Sequence, residues 1–409
     1  MPDVLVLGAG MVGVSTALAL QAQGQEVVLV DRTSPGHETS YGNAGLIQAE
    51  AAEPYAFPRD FASLLRVIFK RGNDVNYHLD ALPDQWRPLL GYFHASAPAR
   101  HQIISRSYAK LTRRSTADHA PLIAAAGVEA LIKREGFRKM FRSVHEFDHA
   151  VDQAERVARQ YDLALRIMDG AELAAAEPAL KISCAGAFHW LDSWSCSDPG
   201  ALTQAYADLF IARGGRVQTA DASSLEQDGR MWSVGVHWGR LAARHVVVAL
   251  GPWSPLLLRK FGYHIPMLRK RGYHRHYKGG TTLNLPMLDV ENGAALSPMR
   301  AGFRVLTGAE IARFDTPPTP VQMVRAEQAA RELIDLGEPV EAEPWFGNRP
   351  CMPDMLPLVG AAPRHKNLWF HFGHGHQGFT LGPTTAALLA EEIITGQVPM
   401  PELSPKRLS

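Results

Sequence analysis

A run of glycines between two short apolar stretches near the N-terminus constrains the fold more than any other feature of the chain. Residues 4–7 are continuously apolar, as in a parallel strand that is buried on both faces. They run into Gly8-Ala-Gly10-Met-Val-Gly13, and residues 13–23 then have the composition of a helix that ends at Gly24. A second apolar stretch over residues 26–30 ends at Asp31. This order predicts one βαβ unit, which usually takes about 30 residues.

Each glycine of this pattern has a physical reason if the unit binds a dinucleotide. Gly8 permits a tight turn, Gly10 lets the backbone approach a pyrophosphate, and Gly13 lets the helix pack against the strand. The helix N-terminus supplies free N–H groups and a partial positive charge for the phosphates. Asp31, at the end of the second strand, can accept ribose hydroxyls and disfavours a 2′-phosphate. The motif by itself leaves NAD and FAD open.

Two other glycine-rich segments favour FAD. Residues 39–45 form such a segment where an NAD enzyme would continue with alternating strands and helices. Residues 373–378 form a second glycine-rich turn, which opens a helix that we expect to continue through Ile394. The N-terminus of that helix would place a dipole near the flavin N1/C2 region, which gains negative charge on reduction.

Composition bounds the remaining function classes. The length of 409 residues, 46% of them hydrophobic, predicts two domains. The 42 basic and 41 acidic side chains nearly cancel, so the chain has no overall positive charge to attract nucleic acid. Three cysteines without a CxxC pattern predict neither a disulfide framework nor a zinc site. No signal-peptide pattern and no run of about 18 apolar residues is evident. We therefore expect a cytoplasmic protein.

The pattern of elements predicts two interleaved domains. Residues 55–165 look mainly helical, Asp198-Pro199 is a helix start, and residues 216–219, 245–250 and 368–372 look like strands. Residues 265–345 look mainly antiparallel, with a helix near 320–336. We expect a discontinuous FAD-binding domain and a substrate-binding or cap domain. The first would comprise residues 1–50, 195–255 and 345–400, and the second residues 51–194 and 256–344.

Five segments, in order along nearly the whole chain, resemble a known family. They are GAGMVGVSTA (8–17), TSYGNAGLI (39–47), KRGYH (270–274), GNRPCMPDMLPLVG (347–360) and FGHGHQGFTLGPTTAALLAEEI (372–393). The sequence is similar to the FAD-dependent amino acid oxidoreductases of the D-amino acid oxidase/glycine oxidase superfamily, above all to bacterial D-amino acid dehydrogenases and glyphosate oxidoreductase-like enzymes. The resemblance implies an α/β Rossmann-like FAD domain of the glutathione reductase type, interleaved with an α+β substrate domain that contains a mainly antiparallel sheet.

The resemblance also implies a reaction. A neutral amine next to a carboxylate would lose its α-hydrogen as a hydride to flavin N5, and the imine would hydrolyse to a keto acid. The substrate would be a D-amino acid, or alternatively a secondary or N-substituted one such as glycine-, iminodiacetate- or D-hydroxyproline-like molecules. The alternative to an enzyme is a flavoprotein subunit that has no catalytic activity of its own. The electron acceptor would be a quinone or the respiratory chain, or oxygen.

Four side chains are candidates for the catalytic site by the same resemblance. Arg349 matches the arginine that holds the substrate carboxylate, a role that suits a planar guanidinium; the alternative is an ion pair with Asp354. Tyr273 and His274 would border the pocket, with a structural role equally open for each. His376 would be a base for the substrate ammonium or a hydrogen-bond partner of the flavin.

The FAD itself would be bound non-covalently, because Cys351 does not fall where the family's flavin-linked cysteine lies. His374 in the same turn as His376 is expected to be structural. The residues that we expect to hold the cofactor are Gly8, Gly10, Met11, Val12, Gly13, Asp31, Arg32, Ser40, Asn43, Ala44, Gly45, Leu46, Ala222, Gly251, Trp253, Gly375, His376, Gly378 and Thr380.

A basic amphipathic segment over residues 57–71 has two interpretations. Phe61, Leu64, Leu65 and Ile68 recur at helical spacing, and the surrounding basic residues are Arg59, Arg66, Lys70 and Arg71. The segment is either a cap helix packed on the substrate domain or a peripheral contact with the inner face of the cytoplasmic membrane.

Two further patterns are expected to be structural. His145-Glu-Phe-Asp-His149 spells the HExxH zinc-protease motif, but no third ligand is evident downstream, so we expect a solvated helix start and no metal. The basic cluster between Arg269 and Lys278 is expected to be a strand end or pocket rim and not a nucleic-acid site.

Overall fold

The computed structural model describes residues 1–70 and 72–408. The helices of this part of the chain are α1 (Met11–Ala22), α2 (Phe61–Ile68), α3 (Leu82–Ala95), α4 (Pro98–Thr112), α5 (Ser115–Ala126), α6 (Val144–Tyr161), α7 (Gly170–Ala176), α8 (Pro199–Ala212), α9 (Ser254–Arg259), α10 (Val321–Leu333) and α11 (Gly378–Thr395).

The strands of the described residues belong to two large sheets and two small ones. They are β1 (Val4–Leu7), β2 (Val27–Asp31), β3 (Leu46–Ile47), β4 (Val75–Tyr77), β5 (Ile132–Lys133), β6 (Phe137–Phe141), β7 (Leu165–Asp169), β8 (Gly186–Trp190), β9 (Trp194–Cys196), β10 (Arg216–Thr219), β11 (Glu226–Asp228), β12 (Met231–Val236), β13 (Gly239–Ala243), β14 (His245–Val248), β15 (Leu268–Gly279), β16 (Met287–Asp289), β17 (Ala294–Met299), β18 (Gly302–Leu306), β19 (Ala309–Ile311), β20 (Gly337–Pro339), β21 (Trp345–Cys351), β22 (Leu358–Ala361) and β23 (Leu368–Phe372).

The first large sheet has the order β10-β2-β1-β14-β23-β22, with every pair parallel except β22 with β23. Its central strands are buried on both faces, which explains their continuous apolar sequences. Val4 and Val6 of β1 pack in one hydrophobic cluster with residues of α1, α8 and α11. Leu5 and Leu7 pack in a second cluster on the opposite face. The predicted βαβ unit and the predicted strands are confirmed.

The second large sheet is mainly antiparallel and is centred on the long strand β15. Its order is β4-β19-β15-β18-β17-β16-β6-β8-β7, and β20 and β21 also pair with β15. Only β4 with β19 and β16 with β6 run parallel among the pairs described. The predicted fold class, a Rossmann-like unit with a separate mainly antiparallel sheet, is confirmed.

The predicted domain limits stay a prediction. Strand β21 lies within the segment 345–400 that we expected in the FAD domain, yet it pairs with β15 in the second sheet. The chain therefore passes between the two sheets after Cys351 and not before Trp345.

The HExxH segment lies at the start of α6. Ser143 caps this helix by accepting a hydrogen bond from the backbone N–H of Glu146, and His145 and His149 are exposed. A helix start at this position was predicted. Among residues 1–70 and 72–408, no three or more His, Cys, Asp or Glu side chains are grouped so that they could hold a metal ion.

The predicted amphipathic segment forms α2. Phe61 and Ile68 are 76% and 57% exposed, whereas Leu64 and Leu65 are half-buried. Arg71 and the side chain of Arg66 lie outside the described residues. Within the part of the chain that the structure describes, no helix combines the length and the apolar sequence needed to span a membrane.

Candidate functional site

The turn between β1 and α1 has the shape that a dinucleotide requires. Gly8 has a φ of +108°, and a Cβ at this residue would lie 2.5 Å from the carbonyl oxygen of Ala249. A Cβ at Gly13 would lie 1.8 Å from the carbonyl oxygen of Gly8. Only glycine fits either position, and the reason is the close packing of turn, helix and β14 that the motif predicts.

The N-terminus of α1 is open towards a ligand. Its N-cap is Gly10, which has no side chain to accept a hydrogen bond from the helix. The hydroxyl of Ser40, from the glycine-rich segment 39–45, accepts from the backbone N–H of Met11 at 2.9 Å. The other N–H groups of the first turn have no side-chain cap, so they are available to phosphate oxygens.

Asp31 stands at the end of β2 beside this turn. Its carboxylate accepts from the backbone N–H of Ala9 at 2.6 Å and from that of Thr33 at 3.0 Å. These bonds fix the carboxylate, which also lines the cavity described next. The guanidinium of Arg32 stacks 4.6 Å from the ring centroid of Trp253 and pairs with Glu38 at 2.7 Å. This end of the cavity therefore offers one fixed acceptor and one planar stacking surface.

A cavity of about 1630 Å³ runs from the β1–α1 turn to the second sheet. Most of the predicted cofactor residues line it. They are Gly8, Gly10, Met11, Val12, Asp31, Arg32, Ser40, Asn43, Ala44, Leu46, Ala222, Gly251, Trp253, Gly375, His376 and Gly378.

Three predicted cofactor residues lie behind the cavity wall. Gly13 packs against Gly8, as described above. Gly45 donates its N–H to the side-chain oxygen of Asn43 at 2.8 Å, and Thr380 donates its hydroxyl to the carbonyl of Leu46 at 3.1 Å. These residues hold the loop and do not face the cavity. The contacts of all the predicted residues with FAD stay predictions.

The second glycine-rich turn forms another part of the wall. Gly373 and Gly375 have φ values of +89° and +62°, in the left-handed region that favours glycine. Helix α11 begins directly after the turn, at Gly378, and no side chain caps its N-terminus. The N-termini of α1 and α11 therefore meet the same cavity, and among the N–H groups of the first turn of α1 that of Met11 is held by Ser40.

Arg349 projects from β21 into the other end of this cavity. Its two Nη atoms donate to the carbonyl oxygens of Gly308 at 2.8 Å and Thr307 at 3.2 Å. Burial lowers the pKa of the guanidinium. The alternative partner, Asp354, pairs with Arg407 at 2.7 Å instead, and no carboxylate of the described residues forms an ion pair with Arg349. A half-buried guanidinium that faces a cavity without a counter-ion has the chemistry to bind a carboxylate, and this role of Arg349 stays a prediction.

His376 lines the cavity near Arg349. Burial, followed by the positive charges of Arg349 and Lys270, lowers its pKa to about 3. Its imidazole is therefore neutral near neutral pH, with Nε2 lying 3.1 Å from the side-chain nitrogen of Gln377. A base with so low a pKa is weak, which favours the predicted hydrogen-bonding role over the predicted role as a base.

His374 is held inside the protein. Its Nε2 lies 3.0 Å from the hydroxyl of Thr385 in α11, and burial lowers its pKa to about 3. This contact ties the glycine-rich turn to α11 and fits the structural role that we predicted.

Tyr273 and His274 contact other protein groups. The hydroxyl of Tyr273 donates to buried Glu310 at 2.6 Å. The ring of His274 stacks on Trp345 with centroids 4.7 Å apart and is not part of the cavity wall. Their predicted roles at the pocket stay predictions.

Two aromatic residues of the wall, Tyr55 and Tyr92, escaped the sequence analysis, whereas Lys270 was predicted only as part of a basic cluster at a strand end or pocket rim. The ammonium of Lys270 lies 4.1 Å from the ring centroid of Tyr92, and the ring of Tyr55 lies 5.2 Å from that of His376. Lys270 stands within the family-like segment KRGYH, but the sequence alone does not show that it pairs with the strand of Arg349. Helix α3 and the loop at Tyr55 carry no motif, so nothing in the sequence placed them at the site.

Comparisons with known proteins identify the family. The family model described as FAD dependent oxidoreductase matches residues 3–392. The chain is 31% identical over 405 residues to a D-amino acid dehydrogenase of Paramagnetospirillum magneticum, covering 96% of this chain and 95% of that protein.

Solved structures share the fold. Glycine oxidase from Geobacillus kaustophilus aligns with a TM-score of 0.73 at 19% identity over 98% of both chains. Iminodiacetate oxidase from Chelativorans sp. BNC1 aligns with a TM-score of 0.72 at 20% identity over 98% of this chain and 99% of that one. The chain belongs to the family of FAD-dependent oxidoreductases, and FAD is its cofactor.

Proposed function

We propose that this oxidoreductase is a D-amino acid dehydrogenase. The observation that carries the proposal is the unpaired guanidinium of Arg349 in the same cavity as the dinucleotide turn. The name of the relative that is 31% identical over nearly the full length of both chains supports the same activity.

Bound FAD would supply the acceptor for the α-hydrogen, which leaves the substrate as a hydride with its two bonding electrons. We assign the cofactor contacts to the cavity-lining residues given above, with Asp31 at the ribose and the N-termini of α1 and α11 at the phosphates and the flavin. The domain division predicted from the sequence is kept in this proposal, with β21 counted in the substrate domain.

Arg349 would bind the substrate carboxylate through the N–H groups that its two carbonyl partners leave free. This contact fixes the α-carbon relative to the rest of the cavity, which is the main requirement of a hydride transfer. The substrate amine must be neutral before the hydride leaves. The nearby charges of Arg349 and Lys270 disfavour a third cation, so they would lower the pKa of the substrate ammonium.

His376 would orient the amine as a neutral hydrogen-bond partner. Loss of the hydride from the α-carbon would give an iminium ion, and loss of one proton from its nitrogen to water would then give the neutral imino acid. Addition of water to the C=N bond releases ammonia and gives a keto acid.

A second candidate is oxidation of a secondary or N-substituted amino acid. The position of His376 in the wall favours it, because a neutral imidazole accepts one hydrogen bond from a secondary amine without needing a second N–H. Comparing D-amino acids with their N-methyl derivatives separates the two candidates.

The electron acceptor is proposed to be a quinone or the respiratory chain, reached at a membrane surface. Ile68 of α2 lines the cavity and is 57% exposed, and Phe61 of the same helix is 76% exposed. An apolar helix face at the cavity mouth would bring the site to the lipid interface. Sedimentation with anionic vesicles should recover the holoenzyme and not its Phe61→Ser variant, and equal recovery would remove the membrane contact from the proposal.

The direct test is anaerobic reduction of the bound flavin by a panel of D-, L- and N-alkyl amino acids. We expect bleaching with D-amino acids and turnover with an artificial electron acceptor. Absence of bleaching with every member of the panel would contradict the proposed activity.

A further inference from the structure

Lys270 and Arg349 are opposed in the second sheet. They are register partners in the antiparallel pair of β15 and β21, and both line the cavity. Side chains of directly opposed residues share one face of a sheet with Cβ atoms about 5 Å apart, and like charges there destabilise the pair. The sheet therefore keeps two cations at a position where they repel each other.

Neither cation is neutralised by the protein. Arg349 donates to two carbonyl oxygens, and Lys270 lies over the ring of Tyr92. No carboxylate of the described residues forms an ion pair with either one. Other arginines differ in this respect: Arg271 lies 3.3 Å from Glu310, which is equally buried, whereas buried Arg304 donates to His276 and to two backbone carbonyls. Lys270 and Arg349 are half-buried and both face the cavity, so an anionic ligand there would meet two positive charges that no carboxylate in the part of the chain that the structure describes pairs with.

The two charged groups diverge from their opposed backbones. The guanidinium of Arg349 lies over Gly272, where a Cβ would be 2.3 Å from Nη2. The ammonium of Lys270 turns towards Tyr92 on α3. His376 lies within the influence of both, since each lowers its pKa. A ligand beside His376 would therefore have the guanidinium of Arg349 on one side and the ammonium of Lys270 on another.

We infer that the substrate carries a second anionic group, so that the preferred substrates are acidic D-amino acids with a side-chain carboxylate. Arg349 would bind the α-carboxylate and Lys270 the distal carboxylate. Lys270 is then a specificity-determining residue. This inference rests on the proposed function, because it names the substrate class of the same site.

Isosteric substrates give the sharpest test. D-glutamate and D-aspartate have nearly the same shape as D-glutamine and D-asparagine, but their side chains carry a charged, acceptor-only carboxylate in place of a neutral amide. With the holoenzyme, we expect kcat/KM at least about tenfold higher for each acid than for its amide. We expect Lys270→Met to abolish this preference by raising KM for the acids at least about tenfold more than KM for the amides. Lys270→Arg should retain it.

A matched control uses the same substitution on the same strand. Lys278 is exposed at the far end of β15 and lies outside the cavity wall. Lys278→Met should keep the preference for acids. Flavin content and thermal midpoint show whether each variant is folded. The comparison of acids with amides in the wild-type enzyme tests the inference without any variant.

Ligand binding supplies a readout apart from turnover. Glutarate should perturb the absorbance of the oxidised holoenzyme at concentrations at least about tenfold lower than butyrate, and Lys270→Met should bring the two together. Equal kcat/KM for acids and amides in the wild-type enzyme, or an equal loss for both in Lys270→Met, would overturn the inference. Failure of the proposed function would look different, since no amino acid would reduce the flavin, and the glutarate comparison would then decide whether the two cations bind a dianion.

Discussion

The guanidinium of Arg349 lies against Gly272 on the neighbouring strand. A Cβ at Gly272 would come within 2.3 Å of Nη2 and 2.6 Å of Cζ. Because Gly272 has no side chain, the arginine can lie across β15 and reach the carbonyls of Thr307 and Gly308.

Gly272→Ala should therefore displace the guanidinium without removing its charge. We expect KM for the amino acid to rise roughly tenfold, about 1.4 kcal/mol, with a smaller change in kcat. Steady-state kinetics with an artificial acceptor measures both. Gly235→Ala on β12 is the matched control, because its nearest neighbour is a serine hydroxyl 3.3 Å away and it lies outside the cavity wall. An unchanged KM in Gly272→Ala would show that the position of the guanidinium does not matter.

Gly13→Ala should impair cofactor binding. The added Cβ would meet the carbonyl oxygen of Gly8 at 1.8 Å, and since both atoms belong to backbone-fixed groups, the turn must open. We expect FAD affinity to fall at least about tenfold, measured as the flavin-to-protein ratio after dialysis. Far-ultraviolet circular dichroism checks that the apoprotein is folded. A folded variant with a full complement of FAD would contradict the proposed cradle.

Tyr273→Phe separates two roles of one residue. The structure ties its hydroxyl to buried Glu310, so its loss leaves a carboxylate oxygen with one partner fewer and should lower the free energy of unfolding by about 1–3 kcal/mol. Denaturant unfolding measures this change. A large rise in KM with unchanged stability would instead place Tyr273 in contact with the substrate, the other of the two roles that the family resemblance left open.

Acid should destabilise the protein through its buried histidines. His119 is fully buried, with ring nitrogens 2.9 Å from the Tyr206 hydroxyl and 3.0 Å from the Phe379 carbonyl. Burial lowers its pKa from 6.5 to about 4. Between these two values the unfolded chain binds a proton that the native protein does not, so stability falls as the pH falls through this window.

For His119 alone, the loss should reach about 2 kcal/mol near pH 5. Urea unfolding at neutral pH and near pH 5 measures the loss. His119→Gln should reduce the difference between the two conditions, even though it lowers stability at both. An equal difference in the variant and the wild type would show that His119 does not contribute.

The local parts of the fold were predictable because their signals are contiguous. The βαβ unit depends on a short run of sequence, and its first strand has the predicted bounds while the helix and second strand differ from theirs by one or two residues at each end. The helix after Asp198 was equally clear, since the carboxylate accepts from the N–H of Ala201 at 2.9 Å.

The substrate end of the cavity was less predictable because it depends on pairing between distant strands. Lys270 and Arg349 are opposed because of the register between β15 and β21. A single sequence does not predict that register. His274 lies two residues after Gly272 and therefore on the same face of β15. Its ring nevertheless stacks on Trp345. The family resemblance placed His274 on a strand that borders the pocket but could not show this contact.

Anaerobic mixing of the holoenzyme with single enantiomers is the most direct test of the central claim. D-amino acids should bleach the oxidised flavin band and their L-enantiomers should not, and Arg349→Ala should require at least about tenfold more substrate for the same bleaching. Bleaching by L- and D-enantiomers alike, or an unchanged substrate requirement in Arg349→Ala, would contradict a D-amino acid dehydrogenase anchored by this arginine.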